Sequence, residues 1–352
     1  MVTKSLIIAP QWIGDAVMTE PLLRRLAARG EQVTVGALPW VAPVYRAMPQ
    51  VAEVVEFPFA HGGLQWAGRR ALAKTLRGRF DVAYVCPNSL KSALIPWWAG
   101  IAQRMGYQGE ARWGLLNQRL PNPPKGQRPP MVPFYSALAD VGQAGRAGSA
   151  HGVISVQAAG EAVADYPQLH LAPHAAADAL QAQNLAAQAF YVLAPGAEYG
   201  PAKRWPTAHF AALAQQLALP VLLLGSGKDA EVCAEIAATV NAIRPGHCRD
   251  LAGKTTLDQA IALIASARAM VSNDSGLMHV AAAFAVPQVA VFGSSSPLHT
   301  PPLNDLATVL WLKNDASYQP PLDCAPCYAR VCPLGHTRCL NDIGPEKVLS
   351  YL

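Results

Sequence analysis

Residues 269–292 read AMVSNDSGLMHVAAAFAVPQVAVF, and the fold turns on this stretch. The apolar run 269–272 is short enough for a buried strand, 276–284 has helical spacing, and 288–292 is a second apolar run bounded by Pro287 and Gly293. Strand, helix and strand in such close succession form the βαβ unit of a parallel sheet, whose strands are apolar on both faces because helices cover both. The rhythm continues outward. Strands are predicted at 191–194 and 221–224, with helices at 207–217, 230–240 and 257–267. Toward the N-terminus the alternation returns as a strand at 6–9, a helix at 16–29 ended by Gly30, a strand at 32–37, and a strand at 81–86 that runs into a turn at Pro87 and Asn88. Residues 119–128, which include LPNPPKG, and residues 142–152 are too rich in Pro and Gly for either element and read as loops.

The back half is therefore α/β and Rossmann-like, and the front half repeats it. Residues 151–184 are mostly alanine and polar, and a linker near Pro173 divides the chain into domains at 1–172 and 173–352. Two such units facing across a cleft make the architecture called GT-B among nucleotide-sugar enzymes; the alternation by itself fits many kinases, synthetases and dehydrogenases as well.

The 352 residues are 51% hydrophobic and 14% charged, which excludes a disordered or solvating chain, and at roughly 150 residues per domain they suggest two cores. The 27 Gly and 30 Pro follow no three-residue period, and the prolines interrupt any heptad run, so collagen and coiled coil fail too. Residues 6–10 are too short an apolar stretch for an export signal and no small-residue cleavage site follows, so a cytoplasmic protein is expected. The long uncharged stretch 275–304 is cut by Gly276, Pro287, Gly293, Pro297 and Pro301 into pieces that cannot span a bilayer. Of the net charge of +5, the front carries more than all: residues 1–175 hold 17 Lys and Arg against 10 Asp and Glu. Arg69, Arg70, Lys74, Arg77 and Arg79, then Arg104, Arg112, Arg119, Lys125 and Arg128, are bunched and suit an anionic partner: nucleic acid, an anionic membrane or a phosphorylated substrate.

Ligands of doubly wound sheets bind beyond the carboxyl ends of the strands, so the segments after each strand are the candidates. After the first comes QWIGDAVM, which has Gly14 alone and lacks the dinucleotide fingerprint. Its Asp15 caps the helix, or takes a proton from an attacking hydroxyl while the helix dipole keeps it ionised, or both. After Cys86, PNSLKSALIPWW puts Lys91 and Ser92 in a first helical turn, where a cation is disfavoured unless an anion is near. LAPGAEYGPAKRWP brings Gly196 and Gly200, whose backbone a ligand can approach closely, before Lys203 and Arg204, an anion site without a Walker motif. DLAGKTT is explained equally by a capped helix start at Thr256. The most specific segment is SNDSGLMH: Asp274, Ser275 and Gly276 end a strand and open a helix whose free N–H groups bind pyrophosphate in other proteins.

Four of the seven cysteines, Cys324, Cys327, Cys332 and Cys339, follow C-x2-C-x4-C-x6-C with His336 among them. Four thiolates suffice for a structural zinc or iron–sulfur site, although the spacing departs from the paired CxxC ribbon and fits reduced thiols equally; no metal is assigned to catalysis.

Taken in order, PQWIGDAVM, PNSLKSALIPWWAGI, YQGEARWGLLN, PGAEYGPAKRWP, LAGKTTLDQAIALI and NDSGLMHVAAAF resemble the ADP-heptose:lipopolysaccharide heptosyltransferases of glycosyltransferase family 9, most closely the heptosyltransferase II branch. The resemblance covers most of residues 6–302. It implies a soluble GT-B enzyme that needs no cofactor and works at the cytoplasmic face of the inner membrane, in peripheral contact with anionic lipid and without nucleic acid. The implied reaction moves L-glycero-D-manno-heptose from ADP-heptose, with inversion, onto the heptosyl-Kdo-lipid A inner core of lipopolysaccharide. Transfer to Kdo-lipid A itself, or a non-catalytic nucleotide-binding module, are the alternatives. By position Asp15 matches the family's base, Lys203 its phosphate-contacting lysine, and Asp274, Ser275, Gly276 and His279 its sugar-nucleotide motif; Lys91, Ser92, Gly196 and Arg204 are further substrate-binding candidates.

Overall fold

The computed structural model describes residues 2–59, 63–124, 127–146 and 165–352, of which 142–146 by backbone alone. The chain divides into two units, Met1–His170 and Leu171–Leu352. Lys125, residues 147–152 of the expected loop and residues 151–164 of the expected linker lie outside the described residues.

The first unit runs β1 (Lys4–Ile8), α1 (Ile13–Met18), α2 (Glu20–Ala28), β2 (Gln32–Ala37), α3 (Ala42–Arg46), β3 (Val51–Glu56), α4 (Trp66–Thr75), β4 (Val82–Val85), α5 (Leu90–Trp98), β5 (Gln103–Tyr107), β6 (Gln118–Leu120) and α6 (Met131–Arg146). Its six strands are parallel in the order β3-β2-β1-β4-β5-β6. The central strands read KSLII and VAYV, and their residues are almost wholly buried, as expected where helices cover both faces. Leu6, Ile8, Phe57, Ala83, Val85 and Ile95 belong to one core of this unit.

The second unit runs α7 (Ala175–Gln183), β7 (Tyr191–Ala194), α8 (Thr207–Gln216), β8 (Val221–Leu223), α9 (Ala230–Asn241), β9 (Cys248–Asp250), α10 (Leu257–Ala265), β10 (Ala269–Asn273), α11 (Gly276–Ala283), β11 (Gln288–Val291), β12 (Ala307–Leu310), α12 (Arg338–Asn341) and α13 (Pro345–Leu349). Its sheet is again parallel, ordered β12-β11-β10-β7-β8-β9. Each order reverses direction once, between β1 and β4 and between β7 and β10, which is the Rossmann arrangement.

Three differences from the sequence reading have local causes. The single helix expected at 16–29 is two helices: Thr19 turns its hydroxyl back onto the Ala16 carbonyl at 2.7 Å, and Pro21 has no N–H to continue the ladder. Part of the loop expected at 119–128 is β6, which pairs with β5 through Gly106 and Arg119. The linker region near Pro173 contains α7, which starts just two residues later.

Gly36, the penultimate residue of β2, is glycine for a packing reason. A Cβ built there would lie 2.0 Å from Cζ of Phe57, whose ring is fixed in the core. Gly36→Ala is expected to destabilise the protein by about 1–3 kcal/mol through overpacking, read as a lowered urea midpoint at unchanged slope.

Candidate active site

The two points where strand order reverses are also where the sequence placed its candidates. At the first, α1 leaves β1 with Trp12 as its N-cap and no side-chain capping bond, so Asp15 is the third helical residue and not the cap. Its Oδ1 accepts a hydrogen bond from the Tyr135 hydroxyl at 3.1 Å. Beyond β4, Ser92 is buried and gives its hydroxyl to the Ser89 carbonyl at 2.6 Å, so that side chain serves the first turn of α5. Lys91 lies half-buried on that same turn. Both the turn at Pro87 and the next loop are held by Arg112, a side chain only 1% exposed, which donates to the Pro87 carbonyl at 2.8 Å, the Asn88 side chain at 3.1 Å and the Tyr107 carbonyl.

Arg112 alters the reading of the basic bunch. Burial lowers its pKa, with Glu110 opposing, and burial does the same to Arg69, which donates to the Leu64 carbonyl at 2.7 Å and lies over the Phe59 ring. Arg104 is spent on the Ile101 and Leu115 carbonyls and Arg79 on Glu53. Arg70, Lys74 and Arg77 remain exposed along α4 and just beyond it, on the side that also carries the exposed Trp66.

At the second reversal the loop between β7 and α8 meets the end of β10. Lys203 places Nζ 2.5 Å from Oδ2 of Asp274, and the Ser295 hydroxyl donates to the same oxygen at 2.5 Å. Ser275 is the N-cap of α11 but makes no capping bond, and its buried hydroxyl has no hydrogen-bond partner; the Ser294 hydroxyl is likewise buried and unpartnered. The Lys203 ammonium, the unsatisfied Ser275 hydroxyl and a helix N-terminus opening at Gly276 are groups of the kind that bind anions at the carboxyl ends of such strands. His279, one turn along α11, is 5% exposed; burial takes its pKa down to about 4, Lys203 pushing the same way and Asp274 against, so the ring is neutral at pH 7.

Not all the loop candidates reach this cluster. A Cβ on Gly196 would lie 2.4 Å from Cγ of Asp229, so the space glycine leaves is filled by that carboxylate, and Arg204 approaches the same carboxylate at 3.8 Å. Gly200, at φ +152°, has the Arg330 carbonyl 2.5 Å from where a Cβ would stand. DLAGKTT is a capping box, Thr256 accepting from Gln259 N and Gln259 returning the bond. One residue that sequence reasoning passed over matters more. Asn273, wholly buried, donates from Nδ2 to the Pro195 carbonyl at 2.7 Å and accepts from Trp205 N at 2.8 Å, holding both ends of the Lys203 loop. A polar side chain closing an apolar strand was the available signal.

Cys324, Cys327, Cys332, Cys339 and His336 line one small cavity together with Ala202 and Ser294. Among the described residues, however, no three His, Cys, Asp or Glu side chains are arranged to hold a metal ion, so of the two readings of these cysteines the structural metal finds no support. The cysteines are free thiols. Burial first, then the neighbouring Cys324, Cys332 and Cys327, push Cys339 up to about 11. At Cys332 burial is outweighed by the backbone N–H groups of Thr337, Leu334, Gly335 and His336, which bring the thiol below its usual value. Cys324 and Cys339, partly buried, pack against the core of this unit and fill space as small apolar side chains.

His279 makes stability pH-dependent. A histidine whose folded pKa is depressed adds stability above its unfolded value, here 6.5, and that stability is lost as pH falls toward about 4. The melting temperature is expected to drop across that interval, and His279→Gln to flatten that part of the profile.

A family model described as Glycosyltransferase family 9 (heptosyltransferase) matches residues 69–335. Lipopolysaccharide heptosyltransferase 2 of Escherichia coli strain K12 is 42% identical over 99% of this chain and 97% of its own length. The enzyme of the same name from Salmonella typhimurium strain LT2 is also 42% identical, with the same coverage. The solved structure of E. coli ADP-heptose lps heptosyltransferase II is similar at a TM-score of 0.82, with 39% identity over 99% of this chain and 97% of that one. With both units α/β and both sheets parallel in Rossmann order, this chain belongs to glycosyltransferase family 9, the heptosyltransferases, and is a glycosyltransferase of the GT-B class.

Proposed function

We propose that this protein transfers L-glycero-D-manno-heptose from ADP-heptose to the heptosyl-Kdo-lipid A inner core of lipopolysaccharide, with inversion at the anomeric carbon. The observation that carries the reading is the cluster at the end of β10: Lys203 beside Asp274, with the unpartnered Ser275 hydroxyl at the N-terminus of α11. Full-length similarity to enzymes named for heptose transfer agrees with it.

The donor is assigned to the second unit and the acceptor to the first. The diphosphate lies on the α11 N-terminus and exchanges with Asp274 for the Lys203 ammonium, while Gly276 leaves the backbone accessible. Neutral His279 lines the same turn without adding charge. As the bond from the anomeric carbon to the diphosphate oxygen breaks, its electron pair goes to ADP, and the sugar passes through an oxocarbenium-like state. Lys203 and the helix dipole stabilise the leaving charge, and the step calls on no cofactor. The acceptor oxygen bonds to the opposite face of the same carbon and loses its proton to the Asp15 carboxylate. Lys91 and Arg204 are assigned to secondary contacts with substrate phosphates. Ser92 and Gly196 act through the turns they support.

The acceptor carries carboxylates and phosphates, and the exposed Arg70, Lys74 and Arg77 offer them complementary charge. With Trp66 and Trp97, 51% and 45% exposed, the same cations suit peripheral contact with an anionic leaflet at the cytoplasmic face of the inner membrane. Among the described residues no helix is long and apolar enough to cross a membrane.

The test is ADP release from ADP-heptose with heptosylated Kdo-lipid A as acceptor. Turnover with that acceptor is expected, whereas turnover only with unheptosylated Kdo-lipid A, or none with either, would overturn the reading. Asp15→Ala should lower turnover by about 10²- to 10⁴-fold while ADP binding survives; unchanged turnover removes Asp15 as base. Raising salt should weaken acceptor use more than ADP binding, since exposed charges are screened first; equal sensitivity would count against the acceptor assignment.

A further inference from the structure

Tyr135 lies beside the carboxylate of Asp15. It stands on α6, is 5% exposed, and directs its hydroxyl at the carboxylate on α1, 120 residues away in sequence. A buried phenol needs a partner, and donation to a carboxylate is among the stronger hydrogen bonds available to it. The phenol sits among packed aromatic rings. Next to it in sequence, Phe134 stacks on Tyr107 with ring centroids 3.9 Å apart and planes within 5°, and the Tyr107 hydroxyl donates to the Phe134 carbonyl at 2.5 Å. Tyr135 also packs edge-on against Phe134 at 5.8 Å. By contrast α1 is only six residues long and has no side-chain cap, so its own backbone does little to orient a carboxylate in its first turn.

We propose that Tyr135 is a positioning residue for Asp15, its hydroxyl holding Oδ1 so that the carboxylate meets the acceptor hydroxyl in the orientation proton transfer requires. This rests on the reading of Asp15 as the base. Among the described residues, titratable groups that feel the carboxylate include Cys86, past the end of β4, and Tyr45 on α3. Burial and the proximity of Asp15 raise both above their usual values, so they stay neutral, and the Tyr45 hydroxyl is paired with Thr19 at 3.1 Å. Around the base, then, the donor is carried by α6 and the acceptor by α1.

A double-mutant cycle tests this with ADP release from ADP-heptose and heptosylated Kdo-lipid A, using the intact enzyme, Tyr135→Phe, Asp15→Ala and the double variant. Phenylalanine keeps the ring and removes only the donor. Tyr135→Phe is expected to lower kcat by about 10-fold, a loss in line with a slightly misplaced catalytic group, with the KM for ADP-heptose within about twofold of the parent. In the Asp15→Ala background the same change should cost nothing further, because the group it positions is gone. Equal losses in both backgrounds would mark Tyr135 as merely structural and overturn the proposal, since partial unfolding lowers the active fraction alike in each. Parent-like kcat for Tyr135→Phe beside a strongly impaired Asp15→Ala would overturn the positioning role and leave the base reading standing. Full activity of Asp15→Ala would remove both.

Discussion

The second unit depends on what Asn273 does with its carboxamide. Wholly buried at the end of β10, it ties the Pro195 carbonyl to the Trp205 amide, so the loop that carries Lys203 starts and finishes on one side chain. Leaving either backbone group unpaired in the interior would cost about 1–3 kcal/mol. Trp205 extends the anchor, being 1% exposed and donating from its indole to the Ile343 carbonyl at 2.8 Å. The loop is fastened again near its middle, where Ala202 N donates to the Arg330 carbonyl and Arg330 Nε donates to the Tyr199 carbonyl. A short stretch of the cysteine-rich segment therefore braces the lysine loop. The contribution of that segment here lies in its backbone and in the packing of Cys324 and Cys339 against the core.

Charge in this chain divides into two kinds. One kind is structural: Arg112, Arg69 and Arg104 satisfy backbone carbonyls in loops that no helix or strand would otherwise hold. Such guanidinium groups pay for irregular backbone by supplying several donors from one rigid fork. The other kind stays in water on α4. Counting residues in a linear sequence merges the two, which is why the surplus of the front half overstates the charge offered to a partner.

Legibility followed burial on both faces. Strands β1, β2, β4, β7, β8, β10 and β11 were readable because each is a nearly continuous apolar run. The four edge strands β3, β6, β9 and β12 were not read, and neither was β5, which begins with Gln103 and Arg104. An edge strand is covered less completely; in β3 no residue is fully buried, and β6 and β9 span three residues each, so the apolar signature is diluted or too brief. The break between α1 and α2 was missed for another reason: an apolar period runs straight across Thr19, and only the hydroxyl's bond to Ala16 and the missing N–H of Pro21 show that the ladder stops.

By itself the sequence determined the class of fold, the alternation of elements and the order of its candidate segments, because apolar period, Gly and Pro punctuation and motif order are local properties of the chain. Tertiary structure alone decided which of those residues meet. That Lys203 and Ser295 both reach Asp274, that Asp15 receives a hydroxyl from α6, and that Gly196 yields its space to Asp229 all join residues remote in sequence. Such contacts arise from strand order and helix packing, which bring together positions that no local pattern relates.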